Sequence, residues 1–458
     1  MSPQRRRQVA LAAGPLLGLF VASLLGGLPS AQRIMAGVFV FAVHWWITEP
    51  VPLYVTGVVT AFASALLLGP LGPSFGAPAL DYRLFLTPFA SPVVVLMFGG
   101  FVMARVFSRQ NLDLEFSRFC LARFGLRPRR VLLGVMLLTA GMSMWMSNTA
   151  TTAIMVASLL PLVRGLPRES PLARAFLLGI PFAANIGGMG TPIGTPPNAI
   201  AIGLLADRGV HLSFLAWMAG AFPLMLLMLA IAYALLLAFF PLGGSAFTLD
   251  LPAGGPASRR GLVYGTFAVT VLLWLSDAVH HIPSALVALL PVCVFSVAGL
   301  FDKEHLRDLA WDILLLIGGG LALGVGIQAT GLGESVVRVL ALDGLPPLAA
   351  LAIVGAAMAL LATVISHTAS ANVILPLALT VAAAWPARMG VAAALCASLG
   401  MALPISTPPN AIAYGSERLS VRDMARVGAL ITVLGILLTV LYESAVFRWL
   451  PGLFPAVP

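Results

Sequence analysis

Apolar runs long enough to cross a membrane fill most of the chain. A helix of about twenty apolar residues spans roughly 30 Å of hydrocarbon, and Leu, Ala, Val and Gly recur in blocks of that length. We place predicted spans at residues 9–28, 34–47, 53–69, 92–106, 175–189, 214–240, 283–300 and 314–329, with further apolar sequence after Val131 and Arg260. The pattern predicts an all-α polytopic membrane protein.

Four polar segments interrupt this apolar sequence. Two are Ser147-Asn148-Thr149 and Ser366-His367-Thr368, and two are Thr-Pro-Pro-Asn segments at 195–198 and 407–410. Proline lacks an N–H and disfavours helix in the residue before it, so the second pair predicts broken helices. Hydrocarbon does not tolerate polar, broken backbone unless it lines a site or is buried in protein. These segments are therefore the candidate functional site.

The polar segments form two matched sets. Gly318 follows Gly99 by 219 residues and Ser366 follows Ser147 by the same 219, whereas the Thr-Pro-Pro-Asn segments are 212 residues apart. Two halves with matched polar breaks indicate a transporter built from inverted repeats, whose broken helices hold substrate and coupling ion near the membrane midplane. A duplication with only structural meaning would not require polar interruptions in hydrocarbon.

The composition excludes a soluble domain. Hydrophobic residues make up 60% of the 458 residues and charged residues 9%, with a mean hydropathy of +1.00, whereas a soluble domain carries about 25% charged residues. The net charge of +9 does not indicate a nucleic-acid partner, because the arginines lie in short loops and form no basic stripe with interleaved aromatics. The membrane lipid is the partner that this composition requires.

The arginine-rich loops predict the orientation. Cytoplasmic loops carry an excess of Lys and Arg, so Arg5–Arg7 place the amino terminus in the cytoplasm of a bacterial-type plasma membrane. The segment Arg105–Arg130 predicts a cytoplasmic interfacial helix with Leu112, Phe116 and Phe119 on its apolar side, or else a charged loop. With the Gly/Pro-rich linker before Arg260, we divide the chain into a first span (1–33), a first repeat (34–245), a linker (246–260) and a second repeat (261–450).

The polar segments offer chemistry for an anion and a cation together. Ser, Thr and Asn side chains donate to anionic oxygens and offer acceptor oxygens to a small hard cation. Backbone amides at helix starts face anions, and carbonyls at helix ends face sodium. For any single Ser or Thr, a hydrogen bond between helices is the alternative role. The paired set predicts a small-anion and cation site without a formally charged binding residue.

With these motifs the chain resembles the divalent anion/sodium symporter family, which includes INDY-type dicarboxylate and citrate transporters and related sulfate transporters. The resemblance rests on the stretch Ser143–Thr151, the Thr-Pro-Pro-Asn-Ala-Ile pair, the segment Thr48–Pro52 and the two glycine segments, and it spans about residues 40–445. It implies a homodimer, with about eleven spans and two re-entrant hairpins in each protomer. It also implies an elevator-type transport domain moving against a scaffold domain, Na+ as the coupling ion, and no organic cofactor.

The resemblance also assigns roles to individual residues. A first sodium site would use Ser143, Ser147, Asn148 and Gly194. The substrate would contact Ser147, Asn148, Thr149, Thr195, Ser366, His367, Thr368, Thr407 and Pro408. A second sodium site would use Ser366, His367 and Ser406.

The second half departs from the family pattern. His367 stands where the family has asparagine, Ala362 stands at the position that corresponds to Ser143, and Ser406 corresponds to Gly194. Imidazole titrates near pH 6.5, and its protonated form would repel sodium while neutralising part of an anion's charge. We expect a weakened or absent second sodium site and a transport rate that rises as pH falls. A packing histidine is the alternative.

These features predict a secondary active transporter of a small divalent anion, a C4 dicarboxylate of the succinate, malate and fumarate class, coupled to sodium. A sulfate carrier and a sodium-independent dicarboxylate exchanger remain open, because hydroxyl and amide donors serve carboxylate and sulfate alike. The sequence contains no His-Glu-x-x-His motif, so an intramembrane enzyme is not indicated. A channel is also conceivable, but duplicated broken helices favour alternating access.

Overall fold

The computed structural model describes residues 2–115, 123–124, 127–167, 169–242, 259–340, 342 and 344–449. Within these ranges the chain is built from α-helices joined by loops and short 3-10 turns, without a β-strand. The all-α prediction is therefore confirmed. The predicted linker up to residue 258, residue 450, Phe116 and Phe119 lie outside the described residues.

The helices follow the order of the sequence. Those of the first half are α1 Pro3–Leu24, α2 Ser30–Thr48, α3 Leu53–Leu68, α4 Pro92–Arg109, α5 Pro128–Ser143, α6 Asn148–Arg164, α7 Pro171–Gly188, α8 Pro196–Ala206 and α9 Phe214–Phe239. Those of the second half are α10 Arg260–Leu275, α11 Asp277–His280, α12 Ser284–Val287, α13 Leu289–Val297, α14 Lys303–Arg307, α15 Trp311–Thr330, α16 Leu332–Val339, α17 Pro347–Val364, α18 His367–Val381, α19 Pro386–Ser398, α20 Pro408–Tyr414 and α21 Val421–Trp449.

Six helices of the described chain are long and apolar enough to cross a membrane. They are α1, α4, α9, α15, α17 and α21. Shorter apolar helices include α6, α8 and α18, which are the arms of hairpins and the halves of broken helices. Spans of this kind reach only part of the way across the hydrocarbon. The total of about eleven spans stays a prediction.

Two helical hairpins turn at the predicted polar segments. In the first, α5 ends at Ser143 and α6 begins at Asn148. The Ser147 hydroxyl accepts a hydrogen bond from the Ala150 N–H at 3.2 Å. In the second hairpin, α17 leads into α18, and the Ser366 hydroxyl accepts from the Ala369 N–H at 3.1 Å. A serine in this position satisfies one of the free N–H groups of a helix start, so both hairpins turn where a capping serine stands.

The two Thr-Pro-Pro-Asn segments break helices as predicted. The helical path stops at Gly188 and resumes at Pro196, and in the second half it stops at Ser398 and resumes at Pro408. Proline suits the first helical position because its missing N–H would have no intrahelical partner there. Helices α7 and α19, which lead into these breaks, are buried along most of their length.

The two repeated glycine segments are places where helices cross closely. A Cβ on Gly319 of α15 would lie 2.4 Å from the Gly57 Cα of α3, and one on Gly99 of α4 would lie 2.0 Å from the Ala288 carbonyl oxygen. Helix association in lipid depends on such small residues. The glycine segments therefore hold the helices around the polar site and are not themselves part of it.

Candidate functional site

The polar segments come together because the two halves pack crosswise. The second arm of the first hairpin, α6, packs against α20, the continuation of the broken helix in the second half. In the same way, α18 of the second hairpin packs against α8 of the first half. The second arm of each hairpin thus packs against the Thr-Pro-Pro-Asn helix of the other repeat.

Oxygen atoms converge at the first hairpin tip. The Ser143 hydroxyl lies 2.5 Å from Asn148 Oδ1 and 2.8 Å from the Ala184 carbonyl oxygen. One hydroxyl proton can serve only one of these two acceptors at a time. The cluster therefore has more acceptor oxygens than hydroxyl protons to bind them. A cation bound among these oxygens would supply the missing positive charge.

Gly188 forms the floor of this cluster. A Cβ at Gly188 would lie 2.8 Å from Asn148 Oδ1 and 3.0 Å from the Gly194 carbonyl oxygen. Both oxygens thus face the position that a side chain would occupy at Gly188 if this residue were not glycine. The structure brings together Ser143, Asn148 and Gly194, three of the four residues predicted for the first sodium site, and the donor set of neutral oxygens fits a small hard cation. Ser147 caps the adjoining helix.

The corresponding cluster of the second half is arranged differently. The His367 ring donates from Nε2 to the Gly400 carbonyl oxygen at 2.9 Å, since a carbonyl can only accept. The Ser406 hydroxyl donates to the Thr363 carbonyl oxygen at 2.7 Å, and Ala362, at the sequence position that corresponds to Ser143, has no hydroxyl. Protein N–H and O–H groups already occupy these carbonyls. The second cluster therefore has fewer free acceptor groups for a sodium ion than the first.

The predicted substrate-facing threonines differ in their surroundings. Thr149 is exposed at the first tip and Thr368 is half-buried at the second. Thr195 is 2% exposed and its side chain makes no cap, whereas the Thr407 hydroxyl accepts from the Asn410 N–H at 3.2 Å and from Asn185 Nδ2 at 3.3 Å. Because Thr407 Oγ1 accepts twice, its proton remains available to donate to an anion. Pro408, the remaining predicted contact, is exposed.

Helix starts contribute the positive electrostatic potential of the site. The cap of α6 uses the N–H groups of Ala150 and Thr151, which bond to Ser147. It does not use those of Asn148 and Thr149. The N-terminus of a helix carries about half a positive charge and binds anions. The helices α6, α8 and α18 all begin at the polar segments, so an anion there meets several helix starts, and the four polar segments themselves contain no carboxylate.

The sequence matches the family model for the sodium:sulfate symporter transmembrane region over residues 8–453. The chain belongs to this family. The resemblance to the divalent anion/sodium symporters is thereby confirmed, and the protein is an integral membrane protein of a transporter family.

Relatives of this sodium:sulfate symporter family member carry transporter names. It is 31% identical to a protein of Staphylococcus saprophyticus named sodium-dependent dicarboxylate transporter SdcS, over 94% of this chain and 90% of that relative. It is 28% identical to a protein of the same name from Staphylococcus aureus, with the same coverage. Among solved structures, the fold is similar to that of the Alcanivorax borkumensis YdaH transporter, with a TM-score of 0.58 and 14% identity over 88% of this chain and 99% of that one.

Asn185 contacts the candidate site and was not among the residues predicted for it. Its Nδ2 donates to Thr407 Oγ1 and, at 3.2 Å, to Asn410 Oδ1, so it joins the broken helix of the first half to that of the second. The corresponding position in the second half is Ala397. The signal available in the sequence was an asparagine near the end of the predicted apolar span 175–189.

A separate cavity of about 1110 Å³ lies between α4, α8, α12 and α15. Its lining includes Pro192 of the first helix break and Asp277, but none of the predicted substrate contacts. The cavity therefore does not form the anion site. It lies between α8, which carries part of the polar site, and the helices α4 and α15.

Proposed function

We propose that this protein is a secondary active transporter that couples the movement of sodium to that of a C4 dicarboxylate such as succinate, malate or fumarate. The observation that carries the proposal is the acceptor-rich cluster of Ser143, Asn148 and Gly194 beside helix starts that face an anion. The names of the staphylococcal relatives support the same cation and the same class of anion.

The residues act by geometry and neutral polar groups. Asn148 presents Oδ1 toward the cation cluster, and its backbone N–H lies at the start of α6, so one residue connects the two ligands. The hydroxyls of Thr149, Thr195, Thr368 and Thr407 supply donors to two carboxylates. A neutral site holds a divalent anion weakly unless cations accompany it, so anion binding depends on sodium.

The alternating movement is proposed to be of the elevator type. The helices α5–α8 and α17–α20 form one packed group around the polar segments, while α4 and α15 border the cavity on its other side. In this scheme the polar group moves as a unit against the remaining helices. A homodimer in a bacterial plasma membrane, with its amino terminus in the cytoplasm, completes the proposal.

Two other transport functions have specific support. The family description names sulfate, and the second cluster, where His367 and Ser406 already occupy the carbonyls, favours weak sodium coupling or sodium-independent exchange.

Uptake into proteoliposomes distinguishes these functions. Labelled succinate and labelled sulfate are supplied separately, with the sodium gradient and the pH gradient varied one at a time. We expect succinate uptake that requires an inward sodium gradient and is inhibited by unlabelled malate and fumarate. Sulfate uptake that succinate does not inhibit, or succinate uptake driven only by internal dicarboxylate, would replace the proposal with the corresponding alternative.

A further inference from the structure

Three helices meet directly behind the first hairpin tip. The helices α6, α7 and α20 pack against one another in pairs. The first two belong to the first half and the third to the second half, so this junction joins the repeats. The predicted site residues of the first half lie at the end of this junction where α6 begins and α7 ends.

Three oxygen atoms at this junction have no hydrogen-bond partner among the described residues. They are Thr151 Oγ1, Thr152 Oγ1 and Asn185 Oδ1, and all three side chains are fully buried. Buried polar atoms in native proteins are almost always paired with protein, water or an ion. Nothing in the proposed binding of sodium at Asn148 or of the anion uses these three oxygens.

The helix register places the three residues about one turn from the contact between Asn148 and Gly188. The start of α6 faces the end of α7, since Asn148 Oδ1 lies 2.8 Å from the Cβ position of Gly188. The two helices therefore run antiparallel. Thr151 and Thr152 follow Asn148 by about one turn, and Asn185 precedes Gly188 by about one turn. Residues at i+3 and i+4 flank the direction of residue i on a helix, so both threonines extend along the face that Asn148 presents to α7.

The amide of Asn185 is held in a defined orientation. Its Nδ2 donates to Thr407 and Asn410 of the second half, which leaves Oδ1 turned away from both. The three oxygens form no hydrogen bonds with one another or with any other described residue. Oxygens that bind a cation point to the ion and form no hydrogen bonds with one another.

The matching junction of the second half, between α18, α8 and α19, lacks this set. The repeat spacing aligns Thr151 and Thr152 with Ser370 and Ala371, and Asn185 with Ala397. The Ser370 hydroxyl donates to the Ser366 carbonyl oxygen at 2.7 Å. The helices of that junction carry three oxygen atoms without a partner among the described residues, Asn198 Oδ1, Ser398 Oγ and Asn372 Oδ1. Asn372 Oδ1 lies against Gly320 of α15, so one hydroxyl and one amide oxygen remain for the junction itself.

We propose that the junction of α6, α7 and α20 binds a further sodium ion through Thr151 Oγ1, Thr152 Oγ1 and Asn185 Oδ1. The ligands are neutral oxygens, which suits a monovalent hard cation better than a divalent one that carboxylates would hold. This inference rests on the proposed sodium-coupled function. In a carrier whose His367 cluster binds sodium weakly, as proposed above, a divalent anion would otherwise move with one compensating charge, and the junction supplies the second.

The test measures sodium binding without transport. Purified protein is heated in sodium chloride or in choline chloride at equal ionic strength, without substrate, and the sodium concentration that gives half of the thermal stabilisation is determined. We compare wild type with a double variant, Thr151→Val with Thr152→Val, which keeps the shape of both side chains. We expect the half-maximal sodium concentration to rise at least tenfold. The Hill coefficient for sodium in uptake should fall by about one relative to wild type.

Ser398→Ala is the matched control. It removes a buried, unpartnered hydroxyl from the corresponding junction, and it should leave the sodium response unchanged. Thr152→Ser keeps a hydroxyl and should retain most of the wild-type response. If the double variant does not fold, the comparison of Thr152→Val with Thr152→Ser gives the same information.

The outcomes separate this inference from the proposed function. If wild type shows no stabilisation by sodium and no sodium-dependent uptake, both are wrong. If wild type responds and the double variant responds equally, the junction binds an ordered water only, and the inference alone is wrong. An equal loss in Ser398→Ala would also overturn it, because the effect would then not depend on the three oxygens.

Discussion

Filling the floor of the first cation cluster is the sharpest test of the site. A Cβ at Gly188 would lie 2.8 Å from Asn148 Oδ1, 3.2 Å from Asn148 Nδ2 and 3.0 Å from the Gly194 carbonyl oxygen. Gly188→Ala therefore adds one methyl group within the space that the two oxygens share. Asn148 cannot move freely away from it, because its Oδ1 is 2.5 Å from the Ser143 hydroxyl.

The size of the effect follows from this crowding. Forcing an extra methyl group into a packed site costs about 1–3 kcal/mol. Since every 1.4 kcal/mol is a factor of ten in a binding constant, a cost of this size in the sodium-bound state weakens sodium binding roughly 5- to 150-fold. We expect the half-maximal sodium concentration for dicarboxylate uptake into proteoliposomes to rise by a factor in this range, with folded protein still present in the membrane.

Two glycine variants serve as controls. A Cβ at Gly141 of α5, in the same hairpin, would meet nothing within 4 Å. In a helix interior, alanine is more favourable than glycine by about 1 kcal/mol. Gly141→Ala should therefore be stable, with wild-type sodium dependence. Gly400→Ala places its Cβ 2.7 Å from the Ala359 carbonyl oxygen, so it should reduce stability without changing sodium affinity. If Gly188→Ala showed the same sodium dependence as Gly141→Ala, the assignment of the first cation cluster would be refuted.

Three further predictions concern the remaining site residues and the topology. Asn148→Ala should abolish transport while leaving folded protein, and Thr149→Ala should mainly raise the substrate KM; wild-type uptake by the Asn148→Ala variant would contradict the site. His367→Asn should strengthen sodium dependence and flatten the rise in rate that we expect as the pH falls; unchanged sodium cooperativity and pH profile would make this histidine a packing residue. Cysteines introduced at Arg118 and Arg260 should both be labelled from the cytoplasmic side, and labelling from opposite sides would reject the predicted orientation.

The sequence by itself determined the class of the protein and the places where its helices break. Hydropathy specified a helical membrane protein because backbone groups in hydrocarbon must be paired within the segment itself. The prolines at 196 and 408 stand at the first residues of α8 and α20, and Ser147 and Ser366 stand directly before α6 and α18. These are local effects: a missing N–H or a capping hydroxyl acts within one helical turn, so the neighbouring residues are sufficient to predict it.

The tertiary structure decided which halves meet and which oxygens remain available. The crosswise packing of α6 on α20, and the bonds of Asn185 to Thr407 and Asn410, join residues more than 200 positions apart. Helix pairing in lipid depends on detailed packing and on interhelical hydrogen bonds, which hydropathy does not encode. The family resemblance indicated that His367 stands where asparagine is usual, but only the folded structure shows that its Nε2 bonds to the Gly400 carbonyl oxygen. The balance of donors and acceptors around an ion depends on side chains from several helices at once, and it is therefore a property of the folded protein.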